Sequence, residues 1–447
     1  MSSADTIDYI YSSPSTLKHS KNKDELFLSN YSEVPKANLP CFFTGKLSNP
    51  YIVARCLITL ANVVKSRFTI SPSELQALKD PIVTVGNSHI RFEGFSGCAG
   101  VYGRVDVHEQ GQEDAFIASG TTNVDFNPQM ILALNKVSKN SHLELSVGSK
   151  DVEVKTDNDK VVEKKVPLPN RWVKGLSTVQ HYLSQSNEIA TLNRMQSITL
   201  FRSIPKGKIK SDYYLIKRAN RYSFSPMAMA NSTAIGGLER LRLLEPLLPL
   251  ITEVKVFAHP NAQSISYQLY FDTVTFSLTI SRDPWRGFSA EGALLEELME
   301  EIDEETLSKL NNFSHANQAF SPTLLPIRIG KDEQDTTKLT AKLSAMGLLG
   351  YDLDSHQYFY RQLPFKPSRI LTLNPRLKGA KKLLEKKQVK IILNDKNKIE
   401  ARVAGTGVEH LVIIQNNTAK CTCQWYSKYQ GERGECKHVL AVREMVK

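Results

Sequence analysis

The residue types with most capacity for chemistry lie at the C-terminal end, in Cys421-Thr-Cys423, a twelve-residue spacer and Cys436-Lys-His438. Two side chains spaced i and i+2 on an extended strand project from one face. Cys421 and Cys423 can therefore present two thiolates to one point. The spacer Gln424 to Glu435 contains Gly431 and Gly434 and is long enough to fold back. Cys436 and His438 at a helix entry can then complete the set, although on a full helix they would diverge by about 200°. Three sulfurs and one imidazole suit a tetrahedral Zn²⁺, and four protein ligands leave no open position. The spacing therefore predicts one structural zinc, not a catalytic one. Lys420, Lys428, Lys437 and the helix N-terminus offset the residual negative charge.

The elements that must position these ligands are strands at Val389 to Leu393, Glu400 to Ala404 and Glu409 to Ile414, then an apolar helix with Val439, Val442 and Val446. The pattern, with Val439-Leu-Ala-Val442 after the histidine, resembles the SWIM zinc finger, a ββα module of about 50 residues. That resemblance implies Cys421, Cys423, Cys436 and His438 as ligands. Arg91-Phe-Glu-Gly-Phe-Ser96, Gly100-Val-Tyr102, Gly120-Thr-Thr-Asn-Val-Asp-Phe-Asn127, Trp285-Arg-Gly-Phe-Ser289 and Arg361-Gln-Leu-Pro-Phe365 look like segments of larger bacterial SWIM proteins. Those are encoded beside a MoxR-type AAA+ ATPase and a von Willebrand factor A domain protein. The resemblance implies both as protein partners, and implies a recognition or adaptor role, with protein or DNA binding by the finger.

The other three cysteines, Cys41, Cys56 and Cys98, are scattered and read as buried thiols of an intracellular protein. The N-terminus has no basic, then apolar, leader pattern, and no apolar run reaches the ~20 residues of a membrane helix. Together these predict a soluble, cytoplasmic chain. Its 447 residues exceed one ordinary domain, and 41% hydrophobic with 23% charged residues exclude extensive disorder and fibrous repeats. The net charge of +11 is uneven. Residues 371–447 hold 16 Lys and Arg against 7 Asp and Glu, which leaves 41 against 39 for the rest. Lys378, Lys382, Lys386, Lys420, Lys428, Arg433 and Lys437 are thus candidates for a phosphate-contacting surface, with Trp425, Tyr426 and Tyr429 for stacking. The other reading makes them a soluble rim around a protein-binding module, with the aromatics in its core.

The pattern along the chain predicts an α+β, multidomain, mixed α/β protein with a C-terminal ββα module. Residues 1–36 read as a flexible lead-in, 37–185 and 186–370 as two α+β domains, and 371–447 as basic helix, strands and finger. Helices are predicted over Tyr51 to Phe68, Ser73 to Leu78, Asn127 to Val137, Trp172 to Ser184, Gly236 to Leu244, Thr337 to Met346 and Asn374 to Lys387. An acidic helix is predicted to follow Ser289, its Glu296 to Glu305 run a solvated face or a docking face for a basic partner. Gln263 to Ile280 alternates as a hairpin about Asp272-Thr273.

Glu93, Arg104, Asp106, Asn123 and Asp125 fall in Gly-rich segments suited to turns and caps, or to a pocket for a carboxylate or peptide. Cys98 and His89 are too weakly linked by spacing to be paired as nucleophile and base. Asp157-Asn-Asp159 lacks the other ligands of a calcium loop and reads as a hairpin turn. No phosphate-binding Gly-x-x-x-x-Gly-Lys-Ser/Thr is present, so ATP hydrolysis by this chain is not expected. With no complete catalytic set, the predicted role is non-enzymatic.

Overall fold

The computed structural model describes residues 41–446 except 67–80, 87, 114–117, 125, 167–169, 208, 210, 220, 284–286, 289–303, 346, 362–374, 396, 406, 417 and 432–433. Before residue 41 it describes strand backbone at 10–11, 16–20, 23–27 and 32–33. Thr16–Ser20 there pairs with Lys23–Phe27, inside the segment read as a flexible lead-in. The predicted helices at 73–78 and after Ser289 lie outside the described residues, apart from the helix beginning at Glu304.

The chain runs β1 (Cys41–Leu47), α1 (Pro50–Lys65), β2 (Ile82–Val85), β3 (His89–Phe95), β4 (Val101–His108), β5 (Gly120–Asn123), α2 (Pro128–Lys136), β6 (Leu143–Gly148), β7 (Asp151–Thr156) and β8 (Lys160–Lys164). After these come α3 (Asn170–Ser184), β9 (Asn187–Asn193), α4 (Arg194–Arg202), β10 (Glu253–Ala258), β11 (Ser264–Tyr270) and β12 (Val274–Ser281). Strands β5-β2-β3-β4-β12-β11-β10-β9 form one eight-stranded antiparallel sheet. Its central pairing joins β4 to β12, as in Arg104 opposite Ser277. Strands from both sides of residue 185 thus share one hydrogen-bonded sheet, and the division expected there does not appear in the topology. The fold is mixed and mostly β.

Alternation explains how the sheet is buried on both sides. Val101, Val105 and Val107 of β4, with Tyr267, Leu269, Phe276 and Leu278 of the predicted hairpin, build an apolar face. Helix α1, opened by Pro50, lays Leu57, Leu60 and Val63 on it, and Phe201 of α4 meets Tyr267 on the same side. Contact with α1 is close because β3 and β4 carry glycines beneath it. A Cβ on Gly94 would sit 2.7 Å from Val64 Cγ2, and one on Gly103 2.8 Å from Leu60 Cδ1. A second, five-stranded sheet, β8-β7-β6-β1 with the edge strand Gln112–Glu113, joins this core. Asn127 caps α2 as its sequence predicts, accepting from the amides of Gln129 and Met130. Asp157 to Asp159 form the turn between β7 and β8, where the Thr156 amide donates to Asp159 O. The helix expected from Gly236 to Leu244 is a 3₁₀ helix, Leu238–Leu247, with Pro246 inside it rather than beyond its end.

The opposite face of the large sheet is polar. It is covered by α3 and by α5 (Glu304–Asn317), α6 (Glu333–Ala345) and the small sheet of β13 (Leu349–Asp352), β14 (Gln357–Tyr360) and Ala319–Phe320. Phe95, Tyr102, Trp172, Leu176 and Leu349 form the apolar part of this second core.

A third cluster is the C-terminal unit. It comprises α7 (Pro375–Glu385), β15 (Val389–Asp395), β16 (Lys398–Ala404), β17 (Glu409–Gln415), β18 (Thr418–Cys421), α8 (Gln424–Tyr429) and α9 (Lys437–Val446). The expected ββα module is therefore the inner part of a larger unit, a four-stranded antiparallel sheet in order β15-β16-β17-β18 with three helices. Leu377, Ala380 and Leu383 of α7 and Val439, Leu440 and Val442 of α9 cover one face of that sheet.

Candidate metal centre

Cys421 ends β18, Cys423 is the N-cap residue of α8, and Cys436 and His438 flank the first residue of α9. The i, i+2 pair thus comes not from one continuous strand but from a strand end and the cap that follows it. The spacer is not a free loop. Its first half is α8, ended by Gln430 in the left-handed region. Arg376 Nη1 donates to Glu435 O at 2.9 Å, and Arg443 Nε donates to both carboxylate oxygens of Glu435, at 2.7 and 2.9 Å. These contacts fix the chain just before Cys436.

The ligand atoms of Cys421, Cys423, Cys436 and His438 all lie within 4.8 Å of one another, and all four residues are buried. His438 Nδ1 faces the sulfurs, 3.8 Å from Cys421 Sγ and 3.9 Å from Cys436 Sγ. Tetrahedral Zn–S and Zn–N bonds of about 2.3 and 2.0 Å place ligand atoms roughly 3.5–3.8 Å apart. The His438 separations of 3.8 and 3.9 Å are a few tenths of an ångström longer than the N···S end of that span, about 3.5 Å. The cysteines are free thiols, not a disulfide. Hydrogen bonds from Cys421 and then Cys436 hold Cys423 far below the usual thiol range, while the same contact with Cys423 drives Cys421 far above it. Sulfurs this close raise the cost of ionising one another, a cost that a bound cation removes. The donor set, its burial and the lack of an open position fit one structural Zn²⁺.

The candidate basic residues are divided among surfaces. Lys378 and Lys382 are exposed on α7 and Lys386 follows it, while half-buried Lys437 lies beside Gly379 of the same helix. Lys420 is exposed one residue from inward-facing Cys421, and so belongs to the other face of the sheet. Lys428 is exposed on α8, and Arg433 lies outside the described residues. Trp425 and Tyr426 pack against the module core. The Arg376 guanidinium stands 4.7 Å over the Trp425 ring, whose Nε1 donates to Gly434 O at 3.3 Å.

The Gly-rich segments of the main body meet in a second constellation, where the polar sheet face touches the small sheet. Tyr102 and Arg361 both donate to Glu93 Oε1. Burial opposes the charge on Glu93, but Arg361 still holds its carboxyl below the usual range. Arg104 Nε donates to Asp106 Oδ2 at 2.7 Å and its Nη1 to Tyr351 O at 2.8 Å. Asn123 instead donates to Val166 O, and Asp125 lies outside the described residues. His89 opens β3 and Cys98 lies three residues beyond its end, with Cys98 beside Ser96 and Arg240 and His89 beside His108. Arg361, Asp352 and His108 were not singled out by spacing. Arg361 and Glu93 are 268 residues apart, and the only sequence signal joining them is that both open or occupy segments with the family resemblance.

Residues 408–447 match the SWIM zinc finger family. No curated protein matches the chain. Among solved structures, Proliferating Cellular Nuclear Antigen from Entamoeba histolytica is 11% identical, over 54% of this chain and 98% of that one, with a TM-score of 0.37. The PCNA2–PCNA3 complex from Sulfolobus tokodaii is 9% identical over 54% and 98%, with a TM-score of 0.39. No helix among the described residues is long and apolar enough to cross a membrane.

Proposed function

We propose that the chain is a cytoplasmic, non-enzymatic recognition or adaptor protein that presents its zinc module to protein partners. The partners named by the sequence resemblance are a MoxR-type AAA+ ATPase and a von Willebrand factor A domain protein. The observation that carries the reading is the closure of the zinc set. Four buried protein ligands leave the ion no position for water or substrate, so the metal builds a rigid platform. Half-buried Trp425 and Tyr426 pack against that frame, and the Arg376 guanidinium stands over the Trp425 ring.

The second reading, DNA binding, is favoured by the exposed lysine row Lys378, Lys382 and Lys386. One pair of measurements separates the two. Native chain purified with and without nuclease retains the ATPase in the adaptor reading and loses it on Cys436→Ser. Duplex affinity that falls steeply with salt, and disappears when the three lysines become glutamate, establishes the DNA reading instead.

A further inference from the structure

Between the polar face of the eight-stranded sheet and β13 and β14 lies a cavity of about 280 Å³, lined in part by His89, Arg91, Arg104, Asp106, His108 and Asp352. Its size is near the lower end of small-molecule sites, and it lies at a junction between layers, where such sites concentrate. The charged lining is built from inside the fold. The side chains of Arg91, Arg104 and Asp106 are all more than nine-tenths buried.

We propose that this cavity binds a free α-amino acid, its carboxylate on Arg91 and its ammonium on Asp106.

Three observations select that class. First, Arg91 Nε and Asp106 Oδ1 face each other at 3.0 Å, yet neither atom has a well-directed hydrogen bond. Arg91 Nη2 is 3.6 Å from Asp352 Oδ2, a loose pair. Buried charged atoms with unused bonding capacity are costly. Arg91 and Asp106 both line the cavity, and a ligand that offers an acceptor and a donor on neighbouring atoms exchanges with this poorly directed pair. Second, the two guanidiniums face Asp106 and Asp352, and the third lining carboxylate, Asp354, is paired with Lys255 at 2.8 Å, so the charges balance. A phosphate would meet Asp106 and Asp352, and a simple cation would meet the arginines, whereas a zwitterion meets each with its opposite. Third, Phe359 offers no open ring for a sugar to stack on. The Arg91 guanidinium lies 4.1 Å from its centroid and that of Arg104 5.6 Å.

The histidine wall adds polarity without charge. His108 Nδ1 is 2.8 Å from His89 Nε2, and the chain of contacts continues to Ser88 at 2.6 Å and Thr275 at 2.8 Å. Burial, then Arg91, pushes His89 down to about 3, and burial lowers His108. Both imidazoles stay neutral at pH 7 and leave the balance intact. Exposed Ser355 at the rim marks the way in.

The test is calorimetric titration and thermal shift of the full chain against single amino acids, with N-acetyl amino acids, amino-acid amides, inorganic phosphate and glucose as the other arms. At least one free amino acid should bind saturably, and blocking either its amino or its carboxyl group should weaken it about tenfold or more. Asp106→Asn should abolish binding. Ala319→Trp should also abolish it by filling the mouth from an exposed strand position, with an unchanged unfolding midpoint, and it decides the matter if Asp106→Asn fails to fold. The proposal is overturned if no amino acid binds, if the blocked analogues bind equally well, if phosphate or glucose binds instead, or if Ala319→Trp binds like the parent.

Discussion

Glu93 and Arg361 are about 1% exposed, and their ion pair ties the large sheet to the layer that covers it. A buried pair of this kind shows its strength when one partner is removed, because the survivor is left charged in a dry site. Arg361→Met should therefore destabilise the body by roughly 3–5 kcal/mol, and adding Glu93→Gln should recover much of the loss. The pH dependence has a definite sign. Burial resists ionisation of Glu93, but Arg361 keeps its folded value below the ordinary one. The stability it contributes is complete above the ordinary glutamate range, about 4.3, and is lost as pH falls through the depressed folded value. Urea unfolding over a pH series should show a steeper acid loss in the parent than in the double variant, and equal slopes would remove the pair from this role. Neither residue was legible as a partner of the other, because nothing local records a contact over 268 positions. The zinc ligands were legible for the opposite reason, since all four fall between residues 421 and 438 and two pairs share i, i+2 spacing.

At the scale of elements, periodicity carried most of what could be read. The hairpin of β11 and β12 shows strict alternation, and the structure has it in the expected place. Its polar positions, however, are not solvent-facing. Ser266, Gln268, Ser277 and Thr279 are buried beneath the second layer, where Ser266 meets Thr279 at 2.9 Å. A period of two distinguishes the faces but does not reveal that another layer lies on the polar one. Strand β9 gave no pattern to read, because as an edge strand it buries only Ala190 and Leu192. Glycine had a further meaning at this scale. Gly94 and Gly103 are where α1 descends onto β3 and β4, and a side chain there must displace Val64 or Leu60. Gly103→Val should cost about 1–3 kcal/mol or more through overpacking, while the exposed Leu132→Ser should change stability by less than about 0.5 kcal/mol. Denaturant midpoints for the two variants check the contrast, and similar values would mean that α1 does not depend on this close approach.

For the whole molecule, the division that matters physically falls near residue 370 rather than 185. The pairing of β4 with β12 closes the sheet across residues 101–281, so no cut inside it leaves two complete cores. A scan for composition shifts could not find this, because the two regions are alike in charge and apolar content. The C-terminal unit is different, since its buried cluster runs from Leu377 to Val442 and contains three of the four zinc ligands. A core of that size is marginal alone, and the metal's binding energy becomes part of its folding energy. Chelation of the full chain, Cys436→Ser or His438→Ala should each remove stoichiometric zinc and loosen residues 375–446. The eight-stranded body, which uses none of those contacts for its own core, should unfold at its former temperature. Elemental analysis, calorimetry and limited proteolysis together read this out as loss of one transition with the other retained. If both transitions moved together, the zinc unit would be stabilising the entire chain, and the platform would have to be regarded as a strut of the body that bears it.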